Sequence, residues 1–180
     1  MRRTKAMILC ALFAALAAVG AFLRIPVPMV PFTLQFLFTN LAGLLLGSRL
    51  GAISVGVYVL LGLMGLLVFT GGGGIGYVVN PTFGYLVGFV VGAWLAGWFV
   101  ERRRDNRFTT YLWASFLDMA VVFLLGMLHY FLIAQFYLKS PVGLWTLFAT
   151  FCLPFLPGDF ALSALSAVLA RRLRPVLQKQ

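Results

Sequence analysis

The chain has 180 residues but only four acidic side chains and one histidine. Asp159 stands out among them. It lies in "PFLPGDFALS", two residues after Pro157, with no further charge until Arg171. Ser163 follows at i+4 and Ser166 at i+7, so on a helix the three form a polar stripe. Such a carboxylate has two compatible uses. It caps a helix that restarts after Pro157, or it offers a charged acceptor to a ligand or a transport pathway. For the two serines, close helix packing together with Ala164 and Ala167 is the plainer reading. Asn80, in "GYVVNPTFGY", stands before Pro81 and suits a helix start equally well. Its amide both donates and accepts, which also suits a ligand site. Tyr77 and Tyr85 flank it, each pairing an aromatic face with a hydroxyl. Thr33 and Gln35, in "PFTLQF", add neutral hydrogen-bonding groups that fit a polar, weakly charged ligand or a helix start.

The remaining reactive groups are scattered. Asp118 and His129 share a helix face but lie about 16 Å apart along it, so they cannot touch. His129 reads as a packed, hydrogen-bonded histidine. Asp118 lies within reach of the arginines of "ERRRDNR". Cys10 and Cys152 each sit in an apolar run without a second ligand at metal spacing, and read as small packing residues. The glycines at 71–74 and 76 permit a sharply folded loop, a possible lid. "GGGGIG" lacks the Lys-Ser/Thr of a phosphate loop. No nucleophile–base pair, metal cluster or nucleotide loop is visible, so the expectation is a protein that is not an enzyme and carries no cofactor or metal.

These groups sit in a chain that is 62% hydrophobic and 10% charged. Long apolar segments with few charges follow one another and read as membrane helices. Six are expected, at about 6–23, 32–47, 50–70, 81–100, 111–138 and 145–170. The breaks carry turn chemistry: "RIPVPMVP", "GSRLG", "GGGGIGYVVNP", "ERRRDNR" and "KSP". The first segment follows a basic start, as a signal peptide would. Its apolar run is long and its small residues are spread along it, which favours a retained helix.

The 14 lysines and arginines sort by side. Arg2, Arg3, Lys5, Arg49, Arg102, Arg103, Arg104, Arg107, Arg171, Arg172, Arg174 and Lys179 fall on one side, Arg24 and Lys139 on the other. The positive-inside rule places the larger group in the cytoplasm, giving a multi-pass protein of the cytoplasmic membrane with both termini inside. The net charge of +10 is then a topology signal and calls for no nucleic acid. Asp159 lies 12 residues from Arg171, roughly 18 Å above the inner boundary and so within the membrane, nearer its outer face. The outer loops hold the aromatics and amides, so a site open to the outside is expected. In the first helix Ala11, Ala14, Ala15 and Ala18 have small-xxx-small spacing, which serves internal packing and docking of another membrane protein equally.

The chain resembles the BioY family, the biotin-specific substrate-binding (S) components of energy-coupling factor (ECF) transporters. The matching stretches are "VPFTLQFLFTNLAGLLLGSRLGAISVGVYVLLGLMGLLVF", the Gly-rich loop with "NPTFGYLVGF", and "PFLPGDFALSALSAVLARRL". They cover nearly the whole chain. The resemblance implies an all-α integral membrane protein with six transmembrane helices and the S-component fold, as a single domain over 1–180. It implies high-affinity biotin binding from the outer side, with uptake through a transmembrane coupling protein and two cytoplasmic ATPases. A solitary biotin transporter working without the ATPases is the alternative. Asn80 and Asp159 stand where the family binds the ureido ring, and Ala11, Ala14, Ala15 and Ala18 where it docks its coupling protein. Thr33, Gln35, Tyr77 and Tyr85 are expected to line the rest of the pocket. Two departures are notable: Phe83 replaces a usual glycine, and Leu162 replaces a frequent lysine ligand, which leaves open weaker biotin binding, substitution by Ser163, or a related ligand such as dethiobiotin or lipoate.

Overall fold

The computed structural model describes residues 3–25, 32–139 and 143–178. The prolines of "RIPVPMVP" and the break at "KSP" lie outside the described residues beyond Ile25 and Lys139.

Helix α1 runs over Arg3–Phe22 and leads into a two-residue strand, β1 (Arg24–Ile25). This strand pairs antiparallel with β2 (Phe32–Thr33), with Arg24 opposite Thr33. No strand was expected here. Helices α2 (Gln35–Leu46) and α3 (Ser48–Leu63) meet at Gly47, whose φ of 88° turns the chain where "GSRLG" signals a break. Glu101 secures the start of α3 by accepting from the Ser48 amide (3.0 Å) and hydroxyl (2.7 Å).

Helix α3 ends seven residues short of the expected 70. The segment after it folds back, and the reason is aromatic. The Phe69 ring lies on Gly62, where any Cβ would overlap it, and meets Tyr58 edge-on and Tyr77 at centroid distances of 5.6 and 4.6 Å. Burying Phe69 in this nest outweighs one more helical turn. The Tyr58 hydroxyl donates to the Val68 carbonyl at 3.1 Å, and Arg24 donates to the Thr70 carbonyl.

A short 3₁₀ turn (Ile75–Val79) precedes α4 (Phe83–Arg103) and α5 (Phe108–Leu132), which continues as one π turn over Ile133–Tyr137. The expected sixth helix is two, α6 (Leu144–Phe151) and α7 (Leu156–Gln178), bent by 55°. Pro157 occupies the first turn of α7, where its missing N–H removes no helical bond. Among the described residues, three helices are long and apolar enough to cross a membrane, or four if the bent pair is one span. Helices α2 and α3 are apolar but shorter, with 12 and 16 residues.

Four helices enclose the centre. Helix α2 packs on α4 and α7, and α5 packs on the same two, while α1 lies against α2, and α3 against both α2 and α4. Small residues set these approaches. On α4, Gly84, Gly88 and Gly92 recur every fourth residue and receive His129, Val122 and Asp118 of α5. Gly43 of α2 sits on the Ala93 carbonyl, and Gly51 of α3 sits on Gly43. Close backbone contact of this kind drives helix association where lipid removes the hydrophobic incentive. At one end of the bundle, Lys5 donates to the Leu177 carbonyl (2.7 Å) and Asn106 to that of Arg171 (3.3 Å). The first and last helices and the α4–α5 loop therefore gather their basic residues together.

Two glycine substitutions separate packing from propensity. Gly43→Ala forces a methyl onto the Ala93 backbone and is expected to destabilise by about 1–3 kcal/mol. Gly56→Ala, on α3 with open space at its Cβ position, is expected to be neutral or to stabilise by up to about 1 kcal/mol. Thermal unfolding in detergent micelles measures both.

Candidate functional site

The four central helices border a cavity with about 650 Å³ of atom-free space, open solvent at its mouth included. Each helix contributes one turn. The start of α2 and strand β2 supply Phe32, Thr33, Gln35 and Phe36, and α4 supplies Tyr85, Leu86 and Phe89. From α5 come Met119, Val122 and Phe123, and from the entry to α7 come Phe155 and Asp159. Thr70, Tyr77 and Thr82 complete the outer wall. The walls are thus aromatic and aliphatic, with polar groups at a few points.

Asp159 is 9% exposed, and among the described residues its carboxylate has no hydrogen-bond partner. It does not cap a helix. Its own amide already donates to the Phe155 carbonyl at 2.9 Å, so it lies inside the first turn of α7. The side chain instead borders the cavity. A carboxylate left with its acceptor sites free in an apolar-walled space is suited to an N–H or O–H donor.

The opposite wall is held by two hydrogen-bond chains. Gln35 donates through Nε2 to the Tyr58 hydroxyl (3.0 Å), which passes its own proton to Val68, so the amide is fixed in orientation. In the second chain, the Asn80 Oδ1 accepts from both the amide (3.0 Å) and hydroxyl (2.8 Å) of Thr82. Because Thr82 donates there, its oxygen accepts from the Tyr77 hydroxyl at 2.9 Å. Tyr77 in turn accepts from Thr70 at 3.3 Å. One amide oxygen therefore sets the direction of three hydroxyl groups along the cavity wall. Tyr85 donates to the Phe151 carbonyl (3.0 Å) and meets Phe123 edge-on, which fixes its ring as a wall.

The expected residues divide accordingly. Asp159, Gln35, Thr33, Tyr77 and Tyr85 line the cavity together. Asn80 does not. It stands behind Thr82, and its carbonyl in turn lies 3.3 Å from the His129 ring, which also packs edge-on against Phe83. Ser163 is fully buried one turn beyond Asp159 and is not among the residues that line the cavity. Leu162 belongs to the apolar core. Asp118 does not reach the arginines of the α4–α5 loop: it is fully buried against Gly92 in mid-bundle. Of the four alanines, Ala11 and Ala15 are exposed on the outside of α1 and Ala18 partly so. Ala14 is 6% exposed and packs within this chain, because α1 turns its Ala14–Ala17–Ala21 edge inward.

Thr70, Thr82 and the aromatic walls are not among the residues expected from sequence. Thr82 follows Asn80 by two, the Asx-turn spacing at which the second residue is held by the first, and that signal was available. Thr70 was assigned to a helix that in fact ends at Leu63.

The sequence profile of the BioY family matches residues 1–179. A probable biotin transporter BioY from Lysinibacillus sphaericus is 39% identical over 97% of this chain and 89% of its own length. A probable biotin transporter BioY from Pyrococcus horikoshii is 36% identical over 96% of this chain and 98% of its own. The crystal structure of the S-component for biotin from an ECF-type ABC transporter superposes with a TM-score of 0.81. It is 30% identical and covers 97% of this chain and 95% of that one. Sequence profile, relatives and fold agree over essentially the whole length: the chain belongs to the BioY family.

Proposed function

We propose that this protein binds biotin from the outer side of the cytoplasmic membrane and carries it inward as the substrate-specificity component of an ECF transporter. It acts as a transport component rather than an enzyme. The observation that carries this reading is the unpartnered Asp159 carboxylate at an aromatic-walled cavity. A ureido ring offers two N–H donors and one carbonyl. Asp159 accepts an N–H in a charge-assisted bond, and the hydroxyl wall of Tyr77 and Thr82 faces the rest of the ring. Asn80 contributes by directing that wall. The phenylalanines hold the apolar ring and chain, and Gln35, Thr33 and Tyr85 close the sides. Arg24, bonded to the carbonyl of the lining Thr70, places a cation beside the site for a carboxylate-bearing tail.

The chain works as one domain over residues 1–180 with six spans and both ends in the cytoplasm. Helices α2 and α3 cross together with the short segments that flank them, and α6 with α7 forms the last span. The gathering of Lys5, Asn106, Arg171 and Leu177 at one end supports this orientation, as does the excess of basic residues there. The exposed Ala11, Ala15 and Ala18 edge of α1 docks the transmembrane coupling protein, which two cytoplasmic ATPases drive. The remaining outer surface meets lipid.

Calorimetric titration of the purified protein with biotin tests the site. Asp159→Ala removes a hydrogen bond to a charged group and is expected to weaken binding by about 1.5–3 kcal/mol, roughly 10–150-fold. Asn80→Ala is expected to cost less, about 0.5–1.5 kcal/mol, because its effect passes through Thr82. Unchanged affinity in both variants rejects the assignment. A second test concerns docking. Ala15→Leu is expected to leave biotin affinity within about twofold but to abolish co-purification with the coupling protein and its uptake. Full uptake by that variant, or by the wild type in cells lacking the ATPases, would show solitary transport.

A further inference from the structure

One helical turn beneath the cavity, the same helix faces carry a second set of polar groups. Val122 lines the cavity, and four residues away on α5 is Asp118. Asp159 and Phe36 likewise have Ser163 and Asn40 one turn deeper on α7 and α2. Ser166 follows Ser163 on the same side of α7. All four residues are 0% exposed. Among the described residues, both Asp118 oxygens, both Asn40 amide atoms and both serine hydroxyls lack a hydrogen-bond partner.

The register brings them to one level. The Phe32 ring at the head of α2 stacks on Phe155 (6.5 Å between centroids) and rests on Gly158. Both helices run from this contact toward the basic end of the bundle. Asn40 lies eight residues beyond Phe32, Ser163 eight beyond Phe155, and Ser166 eight beyond Gly158. By this count Asn40 lies at about the depth of the two serines on an adjoining helix. Asp118 enters from α5, which packs on α7, and Gly92 of α4 supplies the room its carboxylate occupies.

Native proteins rarely leave six buried polar atoms unsatisfied at one level, and such groups call for a specific account. A carboxylate in the middle of a membrane bundle marks a functional site by default. Here the groups sit on three helices, α2 and α5 both packed on α7, and every acceptor is a hard oxygen: one carboxylate, one amide and two hydroxyls. A single carboxylate matches a single positive charge, while a divalent ion or a transition metal asks for more anionic or nitrogen and sulfur ligands. The described residues hold no group of three His, Cys, Asp or Glu. We infer that Asp118, Asn40, Ser163 and Ser166 form a binding site for one alkali-metal cation, directly below the ligand cavity and separated from it by one helical turn.

The inference does not depend on biotin, so its test uses the ligand-free full chain. Thermal unfolding of purified protein is followed in sodium, potassium, lithium and choline chloride at equal ionic strength and at neutral and alkaline pH. One alkali cation is expected to raise the midpoint saturably, by roughly 5–10 °C at a hundred times its dissociation constant. Asp118→Asn, which keeps the shape but not the charge, is expected to lose that response, and Ser163→Ala to shift the half-saturating concentration upward. Equal midpoints in alkali and choline salts for the wild type would overturn the site. So would a midpoint that follows pH alone, which would mean that a proton neutralises Asp118. An undiminished cation response in Asp118→Asn would overturn it as well. The wild-type comparison decides the matter even if a variant does not fold.

Discussion

Everything in this protein depends on how closely α4 can approach α5. Glycines at 84, 88 and 92 give α4 a groove with no side chain for three successive turns, and α5 lies in it. In lipid, where burying apolar surface between helices yields little, this contact is the main source of cohesion. It also fixes the relative height of the two helices. Tyr85 and Phe89 on α4 are thereby brought level with Val122 and Phe123 on α5, which makes two adjoining walls of one cavity. The Gly43–Ala93 contact sets α2 against α4 in the same way, and the Phe32–Phe155 stack sets α7 against α2. The cavity is bounded by the aromatic and aliphatic side chains that these contacts bring to face one another.

Polar groups inside such a bundle need a partner or a purpose, since burial without a hydrogen bond costs several kcal/mol or more in an apolar medium. The outer wall solves this by ordering its hydroxyls in series behind the Asn80 oxygen. His129 belongs to the same solution, because its ring nitrogen lies 3.3 Å from the Asn80 carbonyl. The buried groups around Asp118 stand apart. No such chain satisfies them among the described residues.

Much of this was legible in the sequence, and the reasons for the misses are physical. Helix positions follow from apolar runs and breakers. Five of the seven expected binding residues line one cavity, because polar side chains at apolar helix ends are conspicuous. The aromatic walls were not visible. In a chain with 18 phenylalanines, nothing local tells a cavity wall from a lipid-facing ring. The early end of α3 was missed because residues 64–70 are as apolar as a helix, and only the tertiary nest of Tyr58, Gly62 and Tyr77 bends them back. The inward turn of Ala14 was hidden for a related reason. Alanine spacing defines a narrow stripe but not which neighbour will use each edge of it.

The contact between Gly92 and Asp118 has a consequence for descent. The acid fits only because the position facing it has no side chain, so neither residue can change freely on its own. A side chain at 92 would evict the carboxylate, and loss of the carboxylate would leave a gap that a larger residue at 92 could fill. Across lineages the two positions should be inherited as one unit, switching together or not at all.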